Sequence, residues 1–252
     1  MPGTKSKKHY RVVVATTTGP YHKTRGLKGQ DFFASKQNKT KIVALVSDGA
    51  GSAKYGKIGA KCVCEKVSEI LLKSDFKEIK QAVISALECA RDLLISHRLN
   101  KSKDENGLID FAATVVGVVC QGRKGIFFHI GDGAGVAILK KEKNNIIVSE
   151  PENGIFSSET FFYTMEDWKD SLRFTRFENA DSLFLMTDGV TGFALNKNNH
   201  LPEKGFLPPI NAFLKSETNT KKASRALKNT LETPKARSLS ADDKTLMWIN
   251  LK

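Results

Sequence analysis

The sequence lacks any apolar run close to the roughly 20 residues that a membrane-spanning helix needs. It also lacks the apolar core of a secretory signal peptide, because MPGTKSKKHYR is followed only by the short run VVVA. These two absences argue against helical membrane spans and against export by the secretory route. We therefore expect a cytoplasmic protein with no membrane partner.

Proline is scarce, and no long polar tract of the kind found in disordered chains is present. The 252 residues include 7 Pro, with 40% hydrophobic and 27% charged residues, which is a globular composition. This length fits one or two domains. Since no linker or internal repeat divides the sequence, we expect a monomer with a single domain over 1–252, in which 1–8 forms a flexible basic arm.

Cysteine is rare as well. The four cysteines, Cys62, Cys64, Cys89 and Cys120, fall mostly inside apolar periodic segments, which predicts reduced, buried thiols. Cys62 and Cys64 are two positions apart, but no second pair accompanies them. A structural role is therefore favoured over a zinc site.

Acidic residues are outnumbered, with 27 Asp and Glu against 40 Lys and Arg and a formal net charge of +13. Such a surplus indicates an anionic partner, nucleic acid among the candidates. The basic residues are mostly Lys spread along the chain, and no aromatic residues alternate with them as base-stacking sites would require. A solvated lysine-rich surface is therefore favoured over binding of nucleic acid.

Apolar patterning predicts strands at both ends of the chain, over 10–17, over 42–47 and in the final KTLMWINL. Apolar residues spaced by three and four predict two helices between 54 and 94, joined near KSDF. Further strand-like runs predict an antiparallel meander. Residues 150–170 lack a clear period and are predicted to form a loop or flap, and two helices are predicted before the last strand. This order predicts an α+β fold with one sheet assembled from both ends of the chain.

Four aspartates stand at the edges of strand-like runs: Asp31, Asp48, Asp188 and Asp242. If the fold brings these edges together, they form an oxygen-only cage, which favours Mg²⁺ or Mn²⁺ over zinc. Carboxylates a few Å apart repel by roughly 1 kcal/mol per pair in water, and by about 4 kcal/mol at an effective dielectric near 20. Such a cluster therefore needs a bound cation.

An Asp-Gly pair is first of all a turn signal. Asp132 fits that interpretation, since FFHI and VAIL flank GDGAG as matched strands, and we predict a hairpin tip there. Asp48 and Asp188 differ, because each ends a fully apolar run and leads into another kind of element. Asp48 precedes a loop before a helix, and Asp188 precedes a Thr-Gly turn.

The order GQD, SDGAG, FAAT, HIGDG, LMTDGV and DDKT resembles the metal-dependent protein Ser/Thr phosphatases of type 2C, the PPM family. The similarity runs from about His22 to Leu251 and is closest to the compact bacterial-type branch. It implies a central antiparallel β-sandwich flanked by helices on both faces, with a two-metal site at one end. It also implies hydrolysis of phosphoserine and phosphothreonine in protein substrates by a water activated by two Mg²⁺ or Mn²⁺ ions.

Carried over by position, the resemblance implies a ligand set. Asp48 bridges the two ions, and the carbonyl of Gly49 binds one of them. Asp188 and Asp242 hold the other ion. Asp31 lies near the first ion and binds it directly or through water.

Four other positions bear on this ligand set. Gln30 stands where many eukaryotic relatives have Glu, so direct metal binding by residue 30 is not implied. Asp243 stands where Asn is common and is expected to support the ligands without binding metal itself. Some relatives bind a third, weaker ion, for which Glu150 and Glu152 are open candidates.

One departure from the family concerns the proton donor. Several relatives place a His two residues after the Gly of the SDG motif, or close to it, to protonate the leaving alkoxide, whereas here 50–52 reads AGS. His22, in the loop before Asp31, is our candidate for the acid, and a surface or structural His is the alternative. Arg25 in the same loop is the candidate for pairing with a substrate phosphate through its planar guanidinium.

Two other classes of function were weighed. A phosphatase with an aspartyl nucleophile wants two Asp separated by one residue, and SDGA at 47–50 lacks that pair. A catalytically silent module that binds phosphoproteins or nucleic acid would use the basic surface. Retention of all four aspartates favours the enzyme.

Overall fold

Ten strands in the described part of the chain form two five-stranded antiparallel sheets. The computed structural model describes residues 10–99, 107–140, 146–152 and 160–251, so the basic arm predicted for 1–8 lies outside the described residues. The strands are β1 (Tyr10–Thr17), β2 (Phe32–Gln37), β3 (Lys41–Ser47), β4 (Val115–Gln121), β5 (Lys124–Ile130), β6 (Ala134–Leu139), β7 (Ile146–Ser149), β8 (Arg173–Phe177), β9 (Ala180–Met186) and β10 (Lys244–Leu251). The first sheet has the order β1-β10-β9-β6-β7, and the second has the order β2-β3-β4-β5-β8.

Helices cover the outer face of each sheet. The helices of the described residues are α1 (Pro20–Thr24), α2 (Gly56–Lys73), α3 (Ile79–Leu99), α4 (Asp188–Ala194), α5 (Leu207–Ser216), α6 (Thr220–Leu231) and α7 (Pro234–Leu239), with a 3-10 turn at Ile109–Phe111. Buried side chains of α2 and α3 pack on the second sheet, and those of α4, α5 and α6 pack on the first. The predicted α+β sandwich with helices on both faces is confirmed.

The β3 strand is apolar at nearly every position because both of its faces are buried. Val43 and Leu45 point toward α2 and α3, whereas Ile42, Ala44 and Val46 point into the layer between the two sheets. All five side chains are fully buried. Alternate side chains of β3 therefore pack in two different apolar layers, one against the helices and one between the sheets.

The two ends of the described chain pair with each other. β1 runs antiparallel to β10 in a continuous register from Tyr10 opposite Leu251 to Thr17 opposite Lys244. β10 then pairs with β9 on its other edge. This arrangement confirms the prediction of a sheet assembled from both ends of the chain.

The hairpin predicted around Asp132 is wrong. β5 pairs with β4 and β8 in the second sheet, whereas β6 pairs with β7 and β9 in the first. Residues 131–133 therefore cross from one sheet to the other, and Gly131 turns the chain there with a φ of 109°. The predicted meander is wrong for the same reason, since turn residues do not determine which sheet the next strand joins.

Smaller differences concern local structure. α1 lies in a segment predicted as loop, and α4 begins at Asp188, where a turn was predicted. Cys64 and Cys120 are buried as predicted, whereas Cys62 is only partly buried and Cys89 is exposed; all four are free thiols. The described part of the predicted flap, 150–152 and 160–170, consists of loops and turns. Within the described residues, no helix has the length and apolar character that crossing a membrane requires.

The close approach of α2 to the 3-10 turn yields a test of the packing. A Cβ at Gly59 would lie 1.9 Å from the carbonyl oxygen of Phe111, whereas a Cβ at Gly192, also helical, would meet no atom within 4 Å. We expect Gly59→Ala to lower the free energy of unfolding by about 1 to 3 kcal/mol. The control Gly192→Ala should be neutral or raise it by up to about 1 kcal/mol. Urea unfolding measures both, and equal effects of the two variants would contradict this account of the α2 packing.

Candidate active site

Five aspartates lie at one end of the sandwich because strand ends from both sheets meet there. Phe32 at the start of β2 lies opposite Ser47 at the end of β3, which brings Asp31 next to Asp48. In the other sheet, Met186 at the end of β9 lies opposite Leu246 of β10 and opposite Ala134 at the start of β6. The side chains that flank these strand ends are Asp31, Asp48, Asp132, Asp188 and Asp242.

Asp48 lies at the centre of this cluster. Its backbone N–H donates to Thr114 Oγ1 at 3.0 Å, and its carbonyl accepts from the N–H of Thr114 at 2.9 Å. Its carboxyl group lies close to the carboxyls of Asp31 and Asp188, and burial raises its pKa well above the ordinary value, with further increases from the charges of those two neighbours. One carboxyl therefore contacts both halves of the cluster.

The residue after Asp48 must be Gly for steric reasons. A Cβ at Gly49 would lie 2.3 Å from the carbonyl carbon of Gly56, at the start of α2. Gly49 also forms an isolated antiparallel bridge with Ala113. The loop that carries Asp48 is thereby fixed between α2 and the segment before β4.

Asp31 is held by two threonines of the opposite sheet. Its Oδ2 accepts from Thr187 Oγ1 at 2.9 Å and from Thr245 Oγ1 at 2.7 Å. Its Oδ1 is buried and has no hydrogen-bond partner in the described structure. Burial raises the pKa of Asp31 to about 6, although the two threonines and Asp48 lower it.

The other half of the cluster consists of Asp188, Asp132 and Asp242. Burial and then the charge of Asp132 raise the pKa of Asp188 to about 7. Burial also raises the pKa of Asp132, whose Oδ2 accepts from Thr160 Oγ1 at 2.6 Å, and the charge of Asp242 adds to the increase. Asp242 is exposed at the rim, where its Oδ2 accepts from Ser240 Oγ at 3.3 Å.

The donor set fits a hard divalent cation. It is composed of oxygen, and it includes a buried carboxylate oxygen on Asp31 that lacks a partner. Among the residues that the structure describes, no three His, Cys, Asp or Glu side chains are arranged as a finished metal-binding group. Because raised pKa values favour the protonated carboxyls, binding of a metal ion there would release protons.

His22 and Asp243 form a buried pair beside the cluster. His22 Nδ1 lies 2.9 Å from Asp243 Oδ2, and Asp243 also accepts from the backbone N–H groups of Gly19 at 2.7 Å and Gln30 at 2.6 Å. His22 Nε2 is buried without a partner and lies 3.9 Å from the place where a Cβ at Gly51 would be. The ring thus reaches the loop that follows Asp48, although His22 is far from that loop in sequence.

Three predicted residues are engaged elsewhere. Arg25 is exposed, with its guanidinium 3.8 Å from the centre of the Tyr21 ring and its Nη1 donating to the Tyr21 carbonyl at 3.1 Å. Glu152 pairs with Arg173 at 2.6 Å, and Glu150 pairs with His200 at 3.2 Å. The structure therefore shows none of these three side chains in contact with the five aspartates.

Sequence reasoning missed one aspartate and two supporting threonines. Asp132 carries the same Asp-Gly signal as Asp48 and Asp188, so treating the three alike would have included it. Thr187 and Thr245 adjoin Asp188 and the Asp242-Asp243 pair, but a single Thr beside a strand end carries no recognisable signal.

A cavity of about 370 Å³ opens next to Asp132 and Asp188. Its other walls include Thr191 and Gly192 of α4, and Lys197 and His200 of the loop that follows α4. The positively charged Lys197 makes this cavity suited to an anionic group that approaches the aspartates.

The raised pKa values predict how stability of the metal-free protein depends on pH. Asp31 and Asp188 have pKa values of about 6 and about 7 in the folded state, above the unfolded value of about 3.9. The folded state therefore binds more protons between these values, and its stability falls as pH rises from about 4 to about 7. In EDTA, we expect the free energy of unfolding in urea to fall across this window by on the order of a few kcal/mol.

Two further measurements identify the source of that fall. In Asp188→Asn, the free energy of unfolding should decrease less between pH 4 and pH 7. Saturating Mn²⁺ should also reduce this decrease, because metal binding favours ionised carboxylates. A metal-free protein whose stability is flat or rises over this pH range would contradict the clustering of the carboxyl groups.

Comparison with known proteins agrees with this geometry. The sequence profile for Protein phosphatase 2C matches residues 18–232. A search of curated proteins gives no match. Three solved structures resemble the chain over nearly its whole length, and at these identities the likeness establishes the fold.

The first is a bacterial serine phosphatase, with 15% identity and a TM-score of 0.69 over 97% of this chain and 98% of that one. The second is the serine/threonine phosphatase Stp1 from Staphylococcus aureus, with 14% identity and a TM-score of 0.66 over 100% of both chains. The third is RsbX in complex with magnesium, with 14% identity and a TM-score of 0.59 over 98% of this chain and 97% of that one. Since the profile spans most of the sequence, the chain belongs to the protein phosphatase 2C family, the metal-dependent protein serine/threonine phosphatases.

Proposed function

We propose that this phosphatase hydrolyses phosphoserine and phosphothreonine in proteins at a site that holds two divalent cations. The observation that carries this proposal is the central position of Asp48, whose carboxyl contacts Asp31 on one side and Asp188 on the other. A ligand shared by two ions must reach both from one place. Asp48 meets this requirement, because its carboxyl lies close to those of both Asp31 and Asp188.

The proposed ligands divide between the two halves of the cluster. Asp31 and the carbonyl of Gly49 serve the first ion, Asp188 and Asp242 serve the second, and Asp48 serves both. When bound, Mg²⁺ or Mn²⁺ lowers the pKa of water to generate a nucleophile and stabilises the charge on the phosphoryl oxygens. The chain contributes fixed carboxylates, and the hydrogen bonds from Thr187 and Thr245 keep Asp31 in place.

For leaving-group protonation we propose His22. Its Nδ1 is held by Asp243, which fixes the ring so that Nε2 faces the loop after Asp48. A proton on Nε2 would be donated to the Ser or Thr oxygen as its bond to phosphorus breaks. This arrangement supplies from α1 the acid that 50–52 lacks.

Substrate binding involves the rim of the site. We propose that Arg25 binds the substrate phosphate through guanidinium N–H groups other than the one that donates to Tyr21. The proposed enzyme is a single-domain monomer that meets its phosphoprotein substrates in the cytoplasm. The absence of a membrane-spanning helix from the described residues is compatible with that location.

The test of the proposal is release of phosphate from a phosphoserine peptide. We expect activity to depend on Mn²⁺ or Mg²⁺ and to disappear in EDTA. Asp48→Asn should lower kcat by at least about 100-fold, because it removes the charge shared by both ions. Asp188→Asn and Asp242→Asn should each weaken the binding of one ion, so high Mn²⁺ should restore part of the activity of these variants.

One further site variant and one control accompany this series. Asp132→Asn should also lose activity, because Asp132 lies in the cluster and not at a hairpin tip. Asp92→Asn, at an exposed position on α3, should keep wild-type rates. Near-normal activity of a folded Asp48→Asn variant would disprove the assignment of the metal ligands.

The role of His22 can be tested by comparing leaving groups. Nitrophenyl phosphate has a good leaving group and needs little protonation, whereas phosphoserine needs more. We expect His22→Ala to lower kcat on a phosphoserine peptide by about 100-fold and to affect nitrophenyl phosphate much less. His22→Gln, which can still hydrogen-bond Asp243 but delivers no proton, should behave in the same way. An equal loss on both substrates would indicate phosphate binding or a structural role for His22.

A further inference from the structure

An apolar groove of about 680 Å³ lies beside α4, between the loop that follows it and α7. We use the name apolar groove for this space after its apolar lining residues, Phe193, Leu195, Phe206, Ala236 and Leu239. Polar residues, among them Asn196, Asn198, Thr230 and Thr233, also line it. Its volume lies within the range of roughly 300 to 1,000 Å³ that is typical of ligand-binding clefts. None of these residues belongs to the acidic cluster.

The groove is lined by a pair of aromatic rings and by an exposed leucine. The rings of Phe193 and Phe206 meet edge to face, with centroids 5.0 Å apart. Leu239, the last residue of α7, is 53% exposed. An exposed leucine beside a partly open aromatic pair is a surface on which an apolar side chain can be buried.

The groove adjoins the cavity beside Asp188. Gly192, Leu195, Asn196 and Lys197 line both spaces. Gly192 is four residues after Asp188 on α4, which corresponds to about 6 Å along the helix axis. A Cβ at Gly192 would meet no atom within 4 Å, so a ligand whose phosphate reaches the aspartates can extend over Gly192 toward the groove.

Charge on the rim favours an acidic ligand. Lys197 and Lys235 line the groove with exposed side chains. Glu203 also lines it, but its Oε1 accepts from Asn196 Nδ2 at 3.1 Å. The groove thus combines an apolar floor with two cationic side chains on its edges.

We propose that the apolar groove binds the polypeptide segment next to the phosphorylated residue of the substrate, an inference that rests on the proposed phosphatase function. An apolar side chain of that segment is buried against Phe193, Phe206 and Leu239, and acidic side chains face Lys197 and Lys235. An extended chain advances about 3.3 Å per residue. The apolar side chain is therefore two to four positions from the phosphoserine.

A peptide series tests this specificity. A single Leu is moved through four positions on either side of phosphoserine in an acidic background, and the reference peptide carries Ala in its place. We expect one position, two to four residues away, to raise kcat/KM by about tenfold over the Ala peptide, mainly through a lower KM. No preference at any position would overturn the proposal.

Variants locate that preference in the groove. A Cβ at Gly205, which also lines this space, would meet no atom within 4 Å, so Gly205→Leu should fill the groove without disturbing its neighbours. Gly205→Leu and Leu239→Glu should each abolish the Leu preference. Leu93→Glu is the matched control, because Leu93 is 46% exposed on α3, which packs on the other sheet. If the groove variants keep the preference, or if Leu93→Glu loses it equally, the proposal is wrong.

A binding measurement separates this proposal from the phosphatase activity itself. Peptides with serine in place of phosphoserine cannot be hydrolysed, so fluorescence anisotropy with these peptides in Mn²⁺ reports the Kd of the preferred Leu sequence and of its Ala counterpart. We expect the Leu peptide to bind wild type about tenfold more tightly and Gly205→Leu to lose that difference. Equal Kd values, or no binding of either peptide, would overturn the groove assignment even if phosphatase activity is present. A Leu preference in binding without phosphate release would instead retain the groove and refute the proposed function.

Discussion

Mutual repulsion among carboxylates is the constraint on which the rest of this site depends. Five aspartates meet at one end of the sandwich, and Asp48 lies close enough to Asp31 and Asp188 for their charges to raise its pKa. Without a cation, burial and repulsion disfavour their ionised forms, which is why their pKa values are raised. The fold must therefore supply enough packing energy elsewhere to hold the cluster together until cations neutralise it.

The sandwich meets this constraint by distributing the cluster over both sheets. Asp31 precedes a strand of the second sheet, yet it is held by Thr187 and Thr245, which belong to strand ends of the first. Thr245 in turn uses its backbone N–H to bond Thr187 Oγ1 at 3.0 Å. The separation of the two halves of the site thus depends on the spacing of the two sheets, which the apolar layer between them fixes.

The sequence predicted the individual helices and strands better than it predicted which strands pair with one another. The apolar periods identified the long helices, the β1 and β10 strands and the edges that carry Asp31, Asp48, Asp188 and Asp242. The hairpin at Asp132 failed because turn chemistry is local, whereas the choice of sheet for the next strand depends on contacts far along the chain. His22 was suggested by its loop, but its approach to Gly51 depends on a partner, Asp243, that is more than 200 residues away. The apolar groove was not predicted, because Phe193, Phe206 and Leu239 show no common period.

The pairing of β1 with β10 determines when during synthesis this enzyme can exist. Thr245 and Asp242 belong to the last strand and the turn before it, while Asp31 is made roughly 200 residues earlier, which corresponds to about 10 to 40 s of translation. During that interval the strand that pairs with β1 is missing, and Asp31 lacks the hydroxyl of Thr245. The site is therefore complete only once β10 has been made and has docked between β1 and β9.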